Sequence, residues 1–218
     1  ITRAVIQHRM SAIVEEMGEA MLRTAYSQIL NSSRDFSMGI VDRQCRLIAQ
    51  ADHIPVHVGA LPAAVRALEA RFGDDVNEGD VFVLNDPYHG GSHLPDVTVF
   101  VPVFADGERR LWTVVRAHVG DIGGATHGGY NPDAREIYHE GLRLPPLKLA
   151  EKGVMREDVV EMIALNVRLP REFRGDLDAI IGAGRLGRRS LDRLYEENGT
   201  DLVGQAIEEI LDGAETRT

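Results

Sequence analysis

The segment VTVFVPVFADGERRLWTVVRAH, residues 97–118, constrains the fold more than any other part of the chain. Two apolar runs, VTVFVPVF (97–104) and LWTVVRAH (111–118), flank ADGERR, whose Asp106–Gly107 pair is a strong hairpin signal. A third run, VFVLN (81–85), precedes them, and FSMGIVDRQCRLIAQ (36–50) reads as two shorter strands joined by a turn at Asp42–Gln44.

Helical patterns flank this block. Ile6, Met10, Ile13, Met17, Ala20 and Thr24 recur at alternating spacings of four and three within 4–27, one stripe of an amphipathic helix that packs on the domain's own sheet. In DHIPVHVGALP (52–62), Pro55 forces Ile54 out of helical geometry, so this piece is expected to be a loop or edge strand. Pro62 then opens a helix carrying Val65, Leu68 and Phe72, closed by Gly73. The glycine-rich IGGATHGGYNPDAREIYHEG (122–141) leaves little room for a regular element. The C-terminal third is expected to be helical over roughly 156–167, 176–198 and 201–212, with Gly175 and Gly199 as punctuation. Strands first and helices last predict an α+β fold: an N-terminal helix, a central, mainly antiparallel sheet and a helical C-terminal third.

Composition excludes several partners. A formal charge of −10 argues against nucleic acid or an anionic membrane, both of which need a concentrated basic face. The one basic cluster, RLGRRSLDR (185–193), reads as a solvated helix face. Cys45 is the single cysteine, which rules out an intramolecular disulfide and a thiolate metal cage and fits a reducing cytoplasm. No apolar run approaches the ~20 residues of a membrane helix. The chain opens on Ile1 rather than Met and is expected to be a trimmed piece of a longer one.

Between the strands lies NDPYHGGSHLPD (85–96), which carries more ionisable chemistry than a turn needs. If Phe104 pairs with Arg110, Asp96 lies opposite His118 at the open end of the hairpin, on the same face, with Cβ atoms ~5 Å apart. A tight two-residue turn at Asp106–Gly107 shifts the register by one and separates them. A shared site therefore requires a wider loop or a bulge. His93 stands three residues before Asp96, and two imidazoles with a carboxylate suit a divalent transition ion such as Mn, Fe, Ni or Zn. Asp121 could add a fourth ligand or orient one of the histidines.

Taken singly, each residue has a structural reading: Asp96 as a turn acceptor, His118 as a strand end, Asp86 and His89 as parts of a turn-starting N-D-P segment. His57 reads as a pocket residue and His53 as structural, since Pro55 breaks the helical spacing between them. His127 and His139 could line a lid, with nothing to single them out. Cys45 reads as a buried or idle thiol. No G-x-x-x-x-G-K-[ST] occurs, so this chain shows no means of holding ATP.

Seven blocks in order, RTAYS (23–27), RDFSMGIVD (34–42), HIPVHVGALP (53–62), NDPYHGGSHLPDV (85–97), RAHVGDIGG (116–124), EIYHEGLRLPPLKL (136–149) and NVRLPREFRGDL (166–177), resemble the hydantoinase B/oxoprolinase family over the whole chain. That family includes the B subunit of N-methylhydantoinase, the C-terminal half of 5-oxoprolinase and a large subunit of acetone and acetophenone carboxylases. The resemblance implies a hydantoinase A-type partner subunit that binds ATP and activates the substrate by phosphorylation, hence a hetero-oligomer. In carboxylase relatives a metal is held by the histidine and aspartate of an H-x-x-D and by a histidine on a following strand, which carries over to His93, Asp96 and His118. Two departures stand out. Val119 occupies the place of a second histidine found in many relatives, and Ile180 departs from a common x-A-Q. Family subunits are more than twice this length, so residues 1–218 are expected to be a single region, the N-terminal portion of a longer subunit.

Three functions follow as expectations. The first is a metal-dependent subunit of an ATP-dependent hydrolase of cyclic amides such as a hydantoin, an oxoproline or a lactam. Mn, Zn or Fe would activate water there, and His57 or Asp121 would accept the proton. The second is a subunit of an ATP-dependent ketone carboxylase. The third is a non-catalytic scaffold that docks a partner.

Overall fold

The computed structural model describes residues 3–51 and 54–215. Its strands are β1 (Phe36–Asp42), β2 (Leu47–Gln50), β3 (Val81–Leu84), β4 (Asp96–Ala105), β5 (Glu108–His118), β6 (Leu147–Glu151) and β7 (Val154–Met155). They form one sheet in the order β2-β1-β5-β4-β3-β6-β7, with every neighbouring pair antiparallel. The helices are α1 (Arg3–Thr24), α2 (Gln28–Asn31), α3 (Pro55–Phe72), α4 (Glu157–Ala164), α5 (Pro170–Asn198) and α6 (Thr200–Glu215).

Three layers result, because the central strands are apolar on both faces and both must be covered. Val97, Val99, Val101 and Val103 of β4 and Leu111, Val115 and Ala117 of β5 pack with α1, α5 and α6. Phe82, Leu84, Phe100, Trp112 and Val114 face the other way and meet Leu61, Ala64, Val65 and Leu68 of α3. Trp112 is fully buried, and its indole N–H donates to Glu69 of α3 at 2.8 Å, so the one polar atom of the largest core side chain is satisfied.

The hairpin resolves the register question. Asp106 and Gly107 have φ of 52° and 75°, as a tight two-residue turn requires. Ala105 pairs with Glu108 and Phe104 with Arg109, not with Arg110 as the simple register assumed. Val103 then pairs with Leu111, leaving Arg110 as the extra residue of a bulge. Beyond that bulge the parity is restored, and Asp96 stands opposite His118.

Other elements depart from expectation for identifiable reasons. The stripe of α1 runs through Ile6, Met10, Ile13, Val14, Met17, Gly18 and Met21, while Ala20 and Thr24 are not buried. Alternating spacings of four and three repeat every seven residues, and a straight helix drifts ~20° per heptad away from such a stripe. The segment expected to be extended up to Pro62 is helical from Pro55. Ile54 is extended, as its proline neighbour demands, but Pro55 takes the first helical position, where its missing N–H costs nothing. Pro62 sits inside the helix, and the burial of Leu61, Val65 and Leu68, about 1.5–3 kcal/mol each, offsets the ~3 kcal/mol cost of an interior proline.

In the C-terminal third, α5 begins at Pro170 rather than after Gly175, which lies inside the helix against the Tyr26 ring. Strands β6 and β7 had no expectation; the first contains Lys148, whose ammonium is paired with Asp75 at 2.9 Å and Asp80 at 3.2 Å. Cys45 is buried, and burial pushes its thiol up. The segment 122–141 holds a single 3-10 turn at Ile137–His139. His53 lies outside the described residues. No described helix is long and apolar enough to cross a membrane.

Candidate metal centre

The centre sits where the β4–β5 hairpin opens, on the face covered by α3. Alternation along β4 sends Asp96, Thr98 and Phe100 to that face, and along β5 it sends Trp112, Val114, Arg116 and His118 there. Asp96 and His118 are the last pair of the ladder.

The stretch 85–95 brings His93 to the same point. Asn85 is fully buried; its amide donates to the carbonyls of Leu94 at 2.7 Å and Leu142 at 2.9 Å, and its oxygen accepts from Leu144 N at 2.7 Å. Asp86 caps the 3-10 turn Pro87–His89, accepting from Tyr88 N at 3.1 Å and from Arg143 at 2.9 Å, and meets His89 Nδ1 at 3.0 Å. Burial pushes the Asp86 carboxyl up, but Arg143, the Tyr88 N–H and His89 outweigh it and hold it low. Gly90 and Gly91 then thread between α3 and the end of β3, where a Cβ would collide with the Ala64 backbone or the Asn85 carbonyl. Asp96 N donates to His93 O at 3.0 Å, a turn that folds the His93 ring back over Asp96.

The donor atoms of His93, Asp96 and His118 lie within 4.8 Å of one another. Asp96 Oδ1 is 2.8 Å from His93 Nε2 and 3.5 Å from His118 Nδ1, and the two imidazole rings stand 4.9 Å apart. Oδ2 accepts a short hydrogen bond from the Ser92 hydroxyl and lies 3.2 Å from His57 Nε2. Burial alone would raise the Asp96 carboxyl; hydrogen bonds from His118, His57, His93 and Ser92 hold it far below the usual carboxylate range. The same carboxylate raises His93. Asp96 is 1% exposed and the His93 side chain 45%, so the centre opens to solvent on the His93 side. Two imidazoles and an ionised carboxylate in one partly open niche fit a divalent transition ion.

His57, in the first turn of α3, is 4% exposed and reaches the centre. Asp121 is placed differently: its oxygens accept from Gly123 N at 3.1 Å, Arg168 N at 2.5 Å and the Arg168 guanidinium at 2.9 Å. No hydrogen bond or ion pair joins it to the histidine–aspartate group among the described residues. His127 is exposed, and His139 contacts Arg135 and Glu136.

Three neighbours escaped sequence reasoning. Ser92 sits four residues before Asp96. Asp35 turns its carboxylate to 3.8 Å from both His57 and His118. Arg116 is fully buried and donates to Thr98 at 2.8 Å and to the carbonyls of His57 at 3.3 Å and Gly90 at 2.8 Å. Burial lowers its guanidinium to about 10, with Asp96 pulling the other way, so it stays charged at neutral pH. An arginine two residues before His118 in an apolar strand shares its face, and that parity was the available signal.

The profile of the family described as Hydantoinase B/oxoprolinase matches residues 1–218. The chain belongs to the hydantoinase B/oxoprolinase family. It is 41% identical over 215 residues to the caprolactamase subunit beta of Pseudomonas jessenii, covering 99% of this chain and 37% of that one. It is 35% identical over 212 residues to 5-oxoprolinase 1 of Arabidopsis thaliana, covering 92% of this chain and 17% of that one. The crystal structure of ATP-dependent caprolactamase from Pseudomonas jessenii superposes with a TM-score of 0.94 at 40% identity, covering 99% of this chain and 37% of the other. A nucleotide-free acetone carboxylase structure superposes with a TM-score of 0.88 at 20% identity, covering 95% of this chain and 28% of the other, and shares the fold. This member of the family thus spans well under half the length of these relatives.

Proposed function

We propose that this region forms the metal-dependent part of a subunit of an ATP-dependent hydrolase that opens a cyclic amide C–N bond. The observation that carries the reading is the convergence of His93, Asp96 and His118 in a chain 41% identical to a caprolactamase subunit. ATP belongs to an A-type partner subunit, as the family resemblance implies, and the lack of a phosphate-loop motif in residues 1–218 agrees with that division of labour. The assembly is a hetero-oligomer working in the cytoplasm.

In this reading the partner phosphorylates the amide oxygen, which turns a poor electrophile into an imidate-like centre. His93, Asp96 and His118 would hold a divalent ion (Mn, Zn or Fe), which lowers the pKa of water and polarises a carbonyl oxygen. The chain's own side chains do the rest. The buried Asp96 stays ionised. Asp121 braces the 119–124 loop beside the centre through Arg168. His57 touches the centre, while Asp121 bonds Gly123 and Arg168 instead.

The test is turnover by the full-length protein with its A-type partner, ATP and a panel of lactam, hydantoin and oxoproline rings. The expected product is the ring-opened acid, formed with ATP consumption. A carboxylated ketone as the product would assign the carboxylase function instead, and no turnover with either class would leave a scaffold.

A further inference from the structure

We propose that His57 and Ser92 are positioning residues that hold the Oδ2 edge of Asp96, leaving Oδ1 as the edge presented to a divalent cation. This rests on the metal-centre reading and extends it to residues that are not themselves ligands.

The two edges of the carboxylate are unequal. Oδ1 faces His93 Nε2 at 2.8 Å and His118 Nδ1 at 3.5 Å, the two imidazoles of the donor group. Oδ2 faces the Ser92 hydroxyl and His57 Nε2, neither of them in the convergent donor group. Among the described residues His57 Nδ1 is buried without a hydrogen-bond partner, and the ring's polar contacts are made through Nε2. Nε2 lies 3.2 Å from Asp96 and 3.8 Å from Asp35, and His57 is not among the three residues whose donor atoms converge within 4.8 Å. His57 acts on Asp96.

The ring is held there from behind. Arg116 donates to the His57 carbonyl and the Gly90 carbonyl, tying the start of α3 and the glycine turn before Ser92 to β5. Partners of this kind fix which carboxylate oxygen a metal meets, and losing them typically weakens metal binding about 10–100-fold.

The experiment measures Co(II) and Zn(II) dissociation constants of the full-length protein by competition with a chromophoric chelator. His57→Gln keeps an N–H donor near the Nε2 position and has no basic nitrogen; His57→Leu keeps bulk and removes the donor. Ser92→Thr keeps the hydroxyl and Ser92→Ala removes it. The expected result is binding weakened about 10–100-fold in His57→Leu and Ser92→Ala, and changed by less than about threefold in His57→Gln and Ser92→Thr. Wild-type affinity in both His57→Leu and Ser92→Ala overturns the proposal, as does a His57→Gln protein that loses as much as His57→Leu. Should His57→Leu fail to fold, the Ser92 pair decides alone. A wild-type protein that binds neither ion instead refutes the underlying metal-centre reading, and the two failures are thereby told apart.

Discussion

The two ends of the β4–β5 hairpin obey different rules. The turn end is built from local backbone chemistry: Asp106 and Gly107 adopt positive φ, Arg110 is the extra residue of the bulge, and Asp106, Gly107 and Glu108 are exposed. The open end is non-local. There Asp96 and His118 meet His93 from a preceding loop, His57 from α3 and Asp35 from the start of β1. Yet the open end depends on the turn end, because the side-chain period of a strand is two and one extra residue decides which face His118 takes. An ordinary-looking basic residue in the turn sets the chemistry at the far end of the strands.

The largest effects are expected at the open end. Asp96→Ala and His118→Ala should each abolish metal binding and turnover; retention of stoichiometric metal on elemental analysis of either variant would break the link between geometry and chemistry. Next comes deletion of Arg110, which removes the bulge. We expect it to move His118 to the α1/α5 face and to lose metal binding as completely as His118→Ala, with circular dichroism still showing the mixed fold. Wild-type metal binding in that deletion would break the proposed dependence of one end on the other.

Smaller changes sharpen the same contrast. Asp121→Asn removes the charge that Arg168 pairs with and should cost about 1.5–3 kcal/mol in denaturant unfolding, with metal affinity largely kept. Gly107→Ala should cost about 1 kcal/mol, the penalty of placing a Cβ at φ of 75°, again without loss of metal. Smallest is a pH effect at Asp86, whose carboxyl is held low in the folded state. A depressed carboxyl contributes stability above its unfolded pKa and loses it as pH falls through the folded value. The stability gap between wild type and Asp86→Asn should therefore be full at neutral pH and shrink below about pH 4, read from urea melts across that range.

What could be read from the sequence was what local patterns control. The strands 81–85, 97–104 and 111–118, the Asp106–Gly107 turn and the need for a bulge all follow from alternation and turn chemistry. The helix at Pro55 was missed because proline both excludes the helix before it and starts one well, and only the apolar face of α3 on the sheet decides between the two. Strand β7 is two residues long and carries no period to detect. At the centre, His93, Asp96 and His118 were legible because they share one hairpin and its leading turn. Asp35 was not, since its approach follows from β1 pairing with β5, a partner far away in the chain. Ser92 and Arg116 were hidden because a serine in a turn and an arginine in a strand have commoner explanations.

We propose that the bulged register assembles a divalent-ion site from His93, Asp96 and His118. Elemental analysis of purified full-length protein, wild type beside His118→Ala and the Arg110 deletion, tests it most directly. A stoichiometric transition ion is expected in the wild type and none in either variant. A wild type without metal, or a variant that keeps it, would refute the site.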